Sequence, residues 1–254
     1  MATWISHLRI AERLLAEIPG LNEVAFAFGN LAPDSGKPNA DWTQFDPPKT
    51  VTHFLDPGQG ERHVRDLEFF NNYLKDLNQD DLPRYSFTLG YFFHLICDSL
   101  WSHWINVAVK RQYAALLAAD RSKFWGLMKD DWYSLDQRYA QDHPQSLFWR
   151  AILPNPNPPR YLPFLSKEGL DHSLDYIRQF YSQPEPEWLQ ARPYAYTNAG
   201  TLARYVADSV AVLLEIYANF ERLPDLQNTT SALGLIDPAR LEPFAPPLGD
   251  ILAA

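Results

Sequence analysis

The sequence predicts an all-α protein, a single multi-helix bundle, on three observations. Apolar residues recur at three- and four-residue spacing over several long segments. No alternating strand pattern runs for more than a few residues. The prolines, 21 of them, cluster in the connectors between the periodic segments, where they cannot interrupt a helix. At 254 residues the chain is most economically one domain, long enough to bury a real core, with no internal repeat. Residues 1–222 read as the helical domain and 223–254 as a proline-rich tail packed on it or extending from it.

The first helix spans 3–18. Trp4, Leu8, Ala11, Leu14, Leu15 and Ile18 share its apolar face, His7 borders that face, and Pro19-Gly20 ends it. A short helix over 22–31 follows, with Asn22 as its cap, ending at Ala32-Pro33-Asp34. From Asp34 to Gly60 the prolines and aspartates predict a loop that contains His53; a structureless stretch this long in a compact domain is usually functional. A helix is expected over about 61–78, then a central one from Pro83, a favoured first helical residue, to about Arg111.

Further helices are expected over 118–141, about 166–181 and about 198–221. The run Leu153-Pro-Asn-Pro-Asn-Pro-Pro-Arg-Tyr-Leu-Pro163 separates the first two as an irregular connector. After Pro224 the tail is expected to lie extended over the surface or to be partly mobile.

The central helix organises the rest. Gly90-Tyr-Phe-Phe-His94-Leu-Ile-Cys97-Asp98-Ser-Leu-Trp-Ser-His103-Trp104 is almost wholly apolar, which marks a buried helix. Ser86, Gly90, His94, Asp98 and Ser102 form one small or polar row along it. Asp98 is therefore expected inside, where an unpaired carboxylate costs several kcal/mol. The nearest cations on the same helix, Arg84 and Lys110, are more than three turns away. Either a distant Arg or Lys reaches Asp98, or a metal does. Spacing alone leaves two readings of His94 and Asp98: a mutual hydrogen bond, or two ligands of one ion.

Composition narrows the partners. A formal net charge of −9 with no basic run argues against nucleic-acid backbone binding. No apolar run approaches the ~20 residues that span a bilayer, so no integral membrane association is expected. The single Cys97 excludes an intrachain disulfide and fits a reducing compartment; with no leader at the amino terminus, the expected location is cytoplasmic. Without a secretion signal, the acceptor tripeptide Asn228-Thr229-Thr230 carries no weight.

Of the seven histidines, His63 and His143 read as surface residues and His172 sits near a helix start. The candidate set is His7, Asp34, His53, His94 and Asp98. Each has an ordinary reading: a core-edge histidine, a turn aspartate, a loop imidazole. Their order and context add to this. Trp4-Ile-Ser-His7, Gly29-Asn-Leu-Ala-Pro-Asp34, Val51-Thr-His53-Phe and Gly90-Tyr-Phe-Phe-His94-Leu-Ile-Cys-Asp98, over residues 3–104, resemble the zinc-dependent phospholipase C family. That family includes the bacterial phospholipases C and the catalytic domain of glycosylphosphatidylinositol-specific phospholipase D, and is related in fold to the S1/P1 nucleases.

The resemblance implies a metal-dependent phosphodiesterase. His94, Asp98, Asp34 and His53 would hold one ion and His7 a second, with Asp98 bridging and Asp34 also acting as general base. The implied cofactor is Zn²⁺, one or two ions, with iron or manganese as alternatives. The implied substrate is a small-molecule or lipid phosphoester. The chain departs from the family in three places. Ser102 stands where phospholipase D relatives have a histidine, with His103 one step off. The later H-x-x-x-E pair of the bacterial enzymes has no match, leaving Asp131, Asp136, His172 and Asp175 as substitutes. The processed amino terminus that secreted members use as a ligand has no counterpart in a chain with Trp4 inside it. The alternative is a non-catalytic helical protein with a residual structural metal site, serving as an interaction module. An HD-type phosphohydrolase is disfavoured, because the chain has no His-Asp dipeptide.

Overall fold

The computed structural model describes residues 2–41, 43–227 and 229–250; Asn228 of the acceptor tripeptide and the last residues of the tail lie outside them. The fold is all-α. Helices α1 (Trp4–Glu17) and α2 (Glu23–Gly29) come first, each capped at its start by a side chain, the second by Asn22 as predicted. The Thr3 hydroxyl accepts from the Ser6 amide, and the Asn22 side chain accepts from the Ala25 amide.

The segment expected as plain loop is partly regular. Ala32–Asp34 forms a 3₁₀ turn, and Lys37–Pro38 (β1) pairs antiparallel with Phe45–Asp46 (β2). Helix α3 (Lys49–Thr52) starts directly after Pro48 and delivers His53 at its end. A single turn framed by prolines is too short to show a period, so the sequence conceals it.

The helix expected over 61–78 is broken. Glu61–His63 is a 3₁₀ turn, α4 covers Asp66–Phe69, and Phe70–Leu74 forms a π turn. The break falls where the Arg65 amide donates to the Phe54 carbonyl at 3.0 Å, tying this segment to the His53 loop. Central helix α5 (Leu82–Trp101) continues through a π turn at Ser102–Asn106 into α6 (Val107–Gln112). Pro83 occupies its second position, where a missing N–H is still harmless.

Then come α7 (Ala114–Ala119), α8 (Arg121–Asp142), α9 (Lys167–Ser182), α10 (Pro186–Leu189) and α11 (Ala199–Tyr217). α5 is buried from Tyr85 to Trp101, with α2, α11 and α1 packed around it. Two glycines set the α2–α5 approach. A Cβ on Gly90 would lie 2.5 Å from the Phe26 carbonyl oxygen, and one on Gly29 would strike the Phe87 backbone. Only glycine lets these backbones meet so closely.

The described tail does not trail off. Leu223, Ala232, Leu233, Ile236, Phe244 and Leu248 are buried, and the Phe244 ring stacks on Trp104 at 5.4 Å. Asp66 accepts from the Ser231 hydroxyl at 2.6 Å and the Ala232 amide at 2.7 Å, pinning the tail to α4. Among the described residues, no helix is long and apolar enough to cross a membrane.

Candidate metal centre

Four elements bring the sequence candidates together. α1 supplies His7, the 3₁₀ corner Asp34, the end of α3 His53, and α5 both His94 and Asp98. His7, His94 and Asp98 are completely buried, and His53 is only 1% exposed. Ligand atoms of His7, His94 and Asp98 lie within 4.8 Å of one another, and so do those of Asp34, His53 and His94.

The separations are specific. His7 Nε2 is 3.4 Å from Asp98 Oδ1; His53 Nε2 is 3.5 Å and His94 Nε2 3.6 Å from Asp98 Oδ2. His53 Nε2 is 3.3 Å from Asp34 Oδ1. Tetrahedral zinc with bonds of ~2.0–2.1 Å places neighbouring ligand atoms roughly 3.3–3.4 Å apart, so these edges have the length such an ion requires.

The hydrogen-bond pattern agrees. His94 Nδ1 is 2.8 Å from the Asn30 carbonyl oxygen, which can only accept; Nδ1 therefore carries the proton and Nε2 keeps its lone pair facing the cluster. The close α2–α5 approach at Gly90 is what brings Asn30 there. His53 Nδ1 likewise has a fixed neighbour, the Thr52 hydroxyl at 3.0 Å. Beyond His53 the chain passes through Phe54 at φ 53°, an uncommon conformation for an aromatic residue, held by packing on Phe69 and Phe164. By contrast His7 Nδ1 and Nε2, His53 Nε2, His94 Nε2 and Asp98 Oδ2 are buried without a hydrogen-bond partner. Such orphaned donors and acceptors cost stability unless something pairs with them, and a divalent cation satisfies them together. The residues fit the metal.

No arginine or lysine reaches Asp98 among the described residues; the Ala2 amide donates to Oδ1 at 2.9 Å, and the charged or chargeable groups around it are the amino terminus and the imidazoles of His7, His53 and His94. Burial pushes the Asp98 carboxyl up, yet the amino-terminal charge first, then His94 and His7, hold it well below the usual carboxylate range. Asp34 follows the same logic: burial opposes ionisation, and the adjacent His53 imidazole and Lys49 ammonium outweigh it. Burial and the neighbouring His94 depress His7 to about 4, leaving it neutral. His94 moves up, since burial is outweighed by the charge of nearby Asp98 and, further off, of Asp34. Ionised carboxylates and a neutral His7 are in the state ligands need, and a cation arriving at His94 would displace its proton.

Of the five, only Asp34 lines the open cleft beside the cluster, a cavity of about 580 Å³ walled by Trp4, Phe45, Trp125, Trp132, Tyr133 and Tyr176. Trp4 Nε1 donates to Asp34 Oδ2 at 2.9 Å, and Lys49 Nζ stands 3.9 Å from Oδ1. The sequence reading missed both contacts, because nothing in their spacing marks them.

The proposed substitutes lie elsewhere. Asp131 accepts from Arg192 and from the Tyr196 and Thr197 amides. Asp136 accepts from Thr3 and Tyr181, Asp175 pairs with Arg178, and His172 is exposed. His103 points away, towards Arg62 and the Leu241 backbone.

Comparison with curated proteins and with solved structures finds no match. A family model described as "Zinc dependent phospholipase C" matches residues 6–151, a span of more than half of the chain within which the five candidate positions fall. The chain belongs to the zinc-dependent phospholipase C family.

Proposed function

We propose that the protein is a metal-dependent phosphodiesterase of phospholipase C type that hydrolyses a small-molecule or lipid phosphoester in the aromatic cleft. One observation carries this reading: a buried His/Asp cluster with unpaired ligand atoms meets an open cavity at Asp34. His94, Asp98, Asp34 and His53 would hold one ion and His7 a second, with Asp98 shared between them. Zinc suits this donor set best, with iron or manganese as the alternatives. A bound ion supplies two things: a water acidified to a pKa of about 7 and charge stabilisation for the oxygens of an in-line displacement at phosphorus.

The chain's own groups do the rest. Asp34, held by Trp4 Nε1–H on one oxygen and with Lys49 beside the other, aims a lone pair at the attacking water and takes its proton. Held below the usual range, Asp34 is a weak base, so orientation is its larger contribution. As the water oxygen bonds to phosphorus the P–O ester bond breaks, and the leaving alcohol takes up the proton. The aromatic walls exclude bulk water from the exchange. The lone cysteine, Cys97, is buried as a thiol, in keeping with a reducing cytoplasmic setting.

Deep burial of four of the five side chains favours the rival reading, a closed structural metal in a non-catalytic interaction module. Hydrolysis of bis-p-nitrophenyl phosphate separates the two. The zinc-loaded protein turns it over and His94→Ala loses at least ~100-fold, since even outer partners of metal ligands are worth 10–100-fold. Turnover unchanged in His94→Ala, or no turnover in the loaded protein, removes the enzymatic reading.

A further inference from the structure

The chain is strongly acidic, yet the cleft beside the metal cluster is not. Lys49, Lys110 and Lys129 line it, and Asp34 is the only acidic residue on its wall among the described residues. Lys49 stands beside Asp34, and Lys110 and Lys129 add two further positive charges to the cavity wall in a molecule of net charge −9. The aromatic walls by themselves would suit a quaternary ammonium, which seeks ring faces. Here the chain's own ammonium groups already take two of those faces. Lys110 Nζ lies 5.4 Å from the Trp125 ring centre and Lys49 Nζ 5.9 Å from that of Phe45. A ligand cation entering beside them meets like charge instead of a vacant π face.

Resting on the phosphodiesterase reading, we propose that the substrate is a phosphodiester whose head group carries a further phosphate, and that Lys110 and Lys129 bind that second anion while the diester sits at Asp34. Both lysines are exposed, free to follow a ligand, and their charge acts best in a cavity with low-dielectric aromatic walls. The same chemistry could come from a phosphorylated lipid head group or from a soluble bis-phosphorylated polyol.

Calorimetry on the zinc-loaded full chain tests the selectivity without requiring turnover. Inositol 1,4-bisphosphate is expected to bind at least tenfold more tightly than phosphocholine, an advantage that shrinks with added salt. Lys110→Gln/Lys129→Gln should erase most of it, and Lys110→Arg/Lys129→Arg should keep it. Equal affinities, tighter phosphocholine, or a glutamine variant that weakens both ligands alike overturns the proposal.

Hydrolysis then assigns the source. Faster cleavage of dihexanoyl phosphatidylinositol 4-phosphate than of glycerophosphoinositol 4-phosphate indicates a lipid, and equal cleavage a soluble diester; both uphold the selectivity. Faster cleavage of dihexanoyl phosphatidylcholine than of either overturns it. Failure to cleave any of them removes the phosphodiesterase reading instead, and the calorimetric comparison still decides the preference for a second phosphate.

Discussion

His7 and His94, from the first and the central helix, stack face to face with ring centroids 3.8 Å apart and planes within 6° of parallel, both beside Asp98. Two imidazolium rings would repel each other at that distance, so the pair cannot take protons freely to neutralise the carboxylates. Lys49 beside Asp34 and the amino-terminal charge near Asp98 offset part of the negative charge but leave the inward-facing imidazole nitrogens unpaired, and a divalent ion is the agent the donor set accommodates. A ligand that binds the native state alone stabilises it by about 4 kcal/mol at a thousand times its Kd. Stripping the protein with a strong chelator should therefore lower Tm by roughly 8–16 °C for a chain of this size. Readdition of zinc restores it. Calorimetric melting checks this, and an unchanged Tm would mean that the cluster is stable without an ion.

Trp4 is packed edge-on against Tyr176, Phe180 and Tyr181 while its indole N–H holds Asp34. Trp4→Phe keeps most of the packing and removes the donor. Stability is expected to fall by only about 1–2 kcal/mol, whereas kcat falls about tenfold with KM little changed. Steady-state kinetics alongside urea unfolding separates the two effects; loss of stability with unaltered kcat would make Trp4 a packing residue only.

Gly90→Ala tests the route from backbone packing to the ligands. The added methyl meets the Phe26 carbonyl oxygen and, at 2.9 Å, the Asn30 side-chain Nδ2, so α2 must shift away from α5. A cost of about 1–3 kcal/mol is expected, as for other overpacked cores. Since Asn30 orients His94, zinc affinity should drop about 10–100-fold as well. Competition with a chromophoric chelator measures it, and undiminished affinity would cut the proposed link.

Asp66 reports on the tail. Burial raises its carboxyl to about 7, despite the hydrogen bonds from Ser231 and Ala232. Between its unfolded value near 4 and about 7, the native state thus binds more protons than the unfolded chain. Stability from this group is full below pH ~4 and declines as pH rises to about 7, by at most about 1.4 kcal/mol per unit. Asp136, also raised to about 7, adds a parallel slope, so the comparison needed is wild type against Asp66→Asn. The variant should gain on wild type steadily from pH 4 to 7. Parallel stability profiles would show that Asp66 does not titrate in this range.

Much of this was legible in the residues, but unevenly. The long helices follow from apolar periodicity, and the starts of the segments at Asn22, Ser166 and Asn198 coincide with residues that cap them in the structure. The π turns at Phe70–Leu74 and Ser102–Asn106, and the single turn Lys49–Thr52, left no trace, since a one-residue register change or one helical turn barely alters an apolar pattern. The site divides in the same way. His94 and Asp98 announce themselves by helical spacing on a greasy rod. Asp34 and His53 sit in segments without period, so only the order of short motifs pointed to them. The sequence left open whether the tail packs on the domain or extends from it, because its buried side chains, such as Phe244 and Leu248, are scattered among prolines and find their partners far away in sequence.

Metal content bears on the central claim most directly. Elemental analysis of protein purified without added metal should give one to two equivalents of zinc per chain, or of iron or manganese in its place, and well under half of that for a folded His94→Ala variant. A wild-type protein that is folded and free of divalent metal, and that takes up none when zinc is offered, would contradict the account.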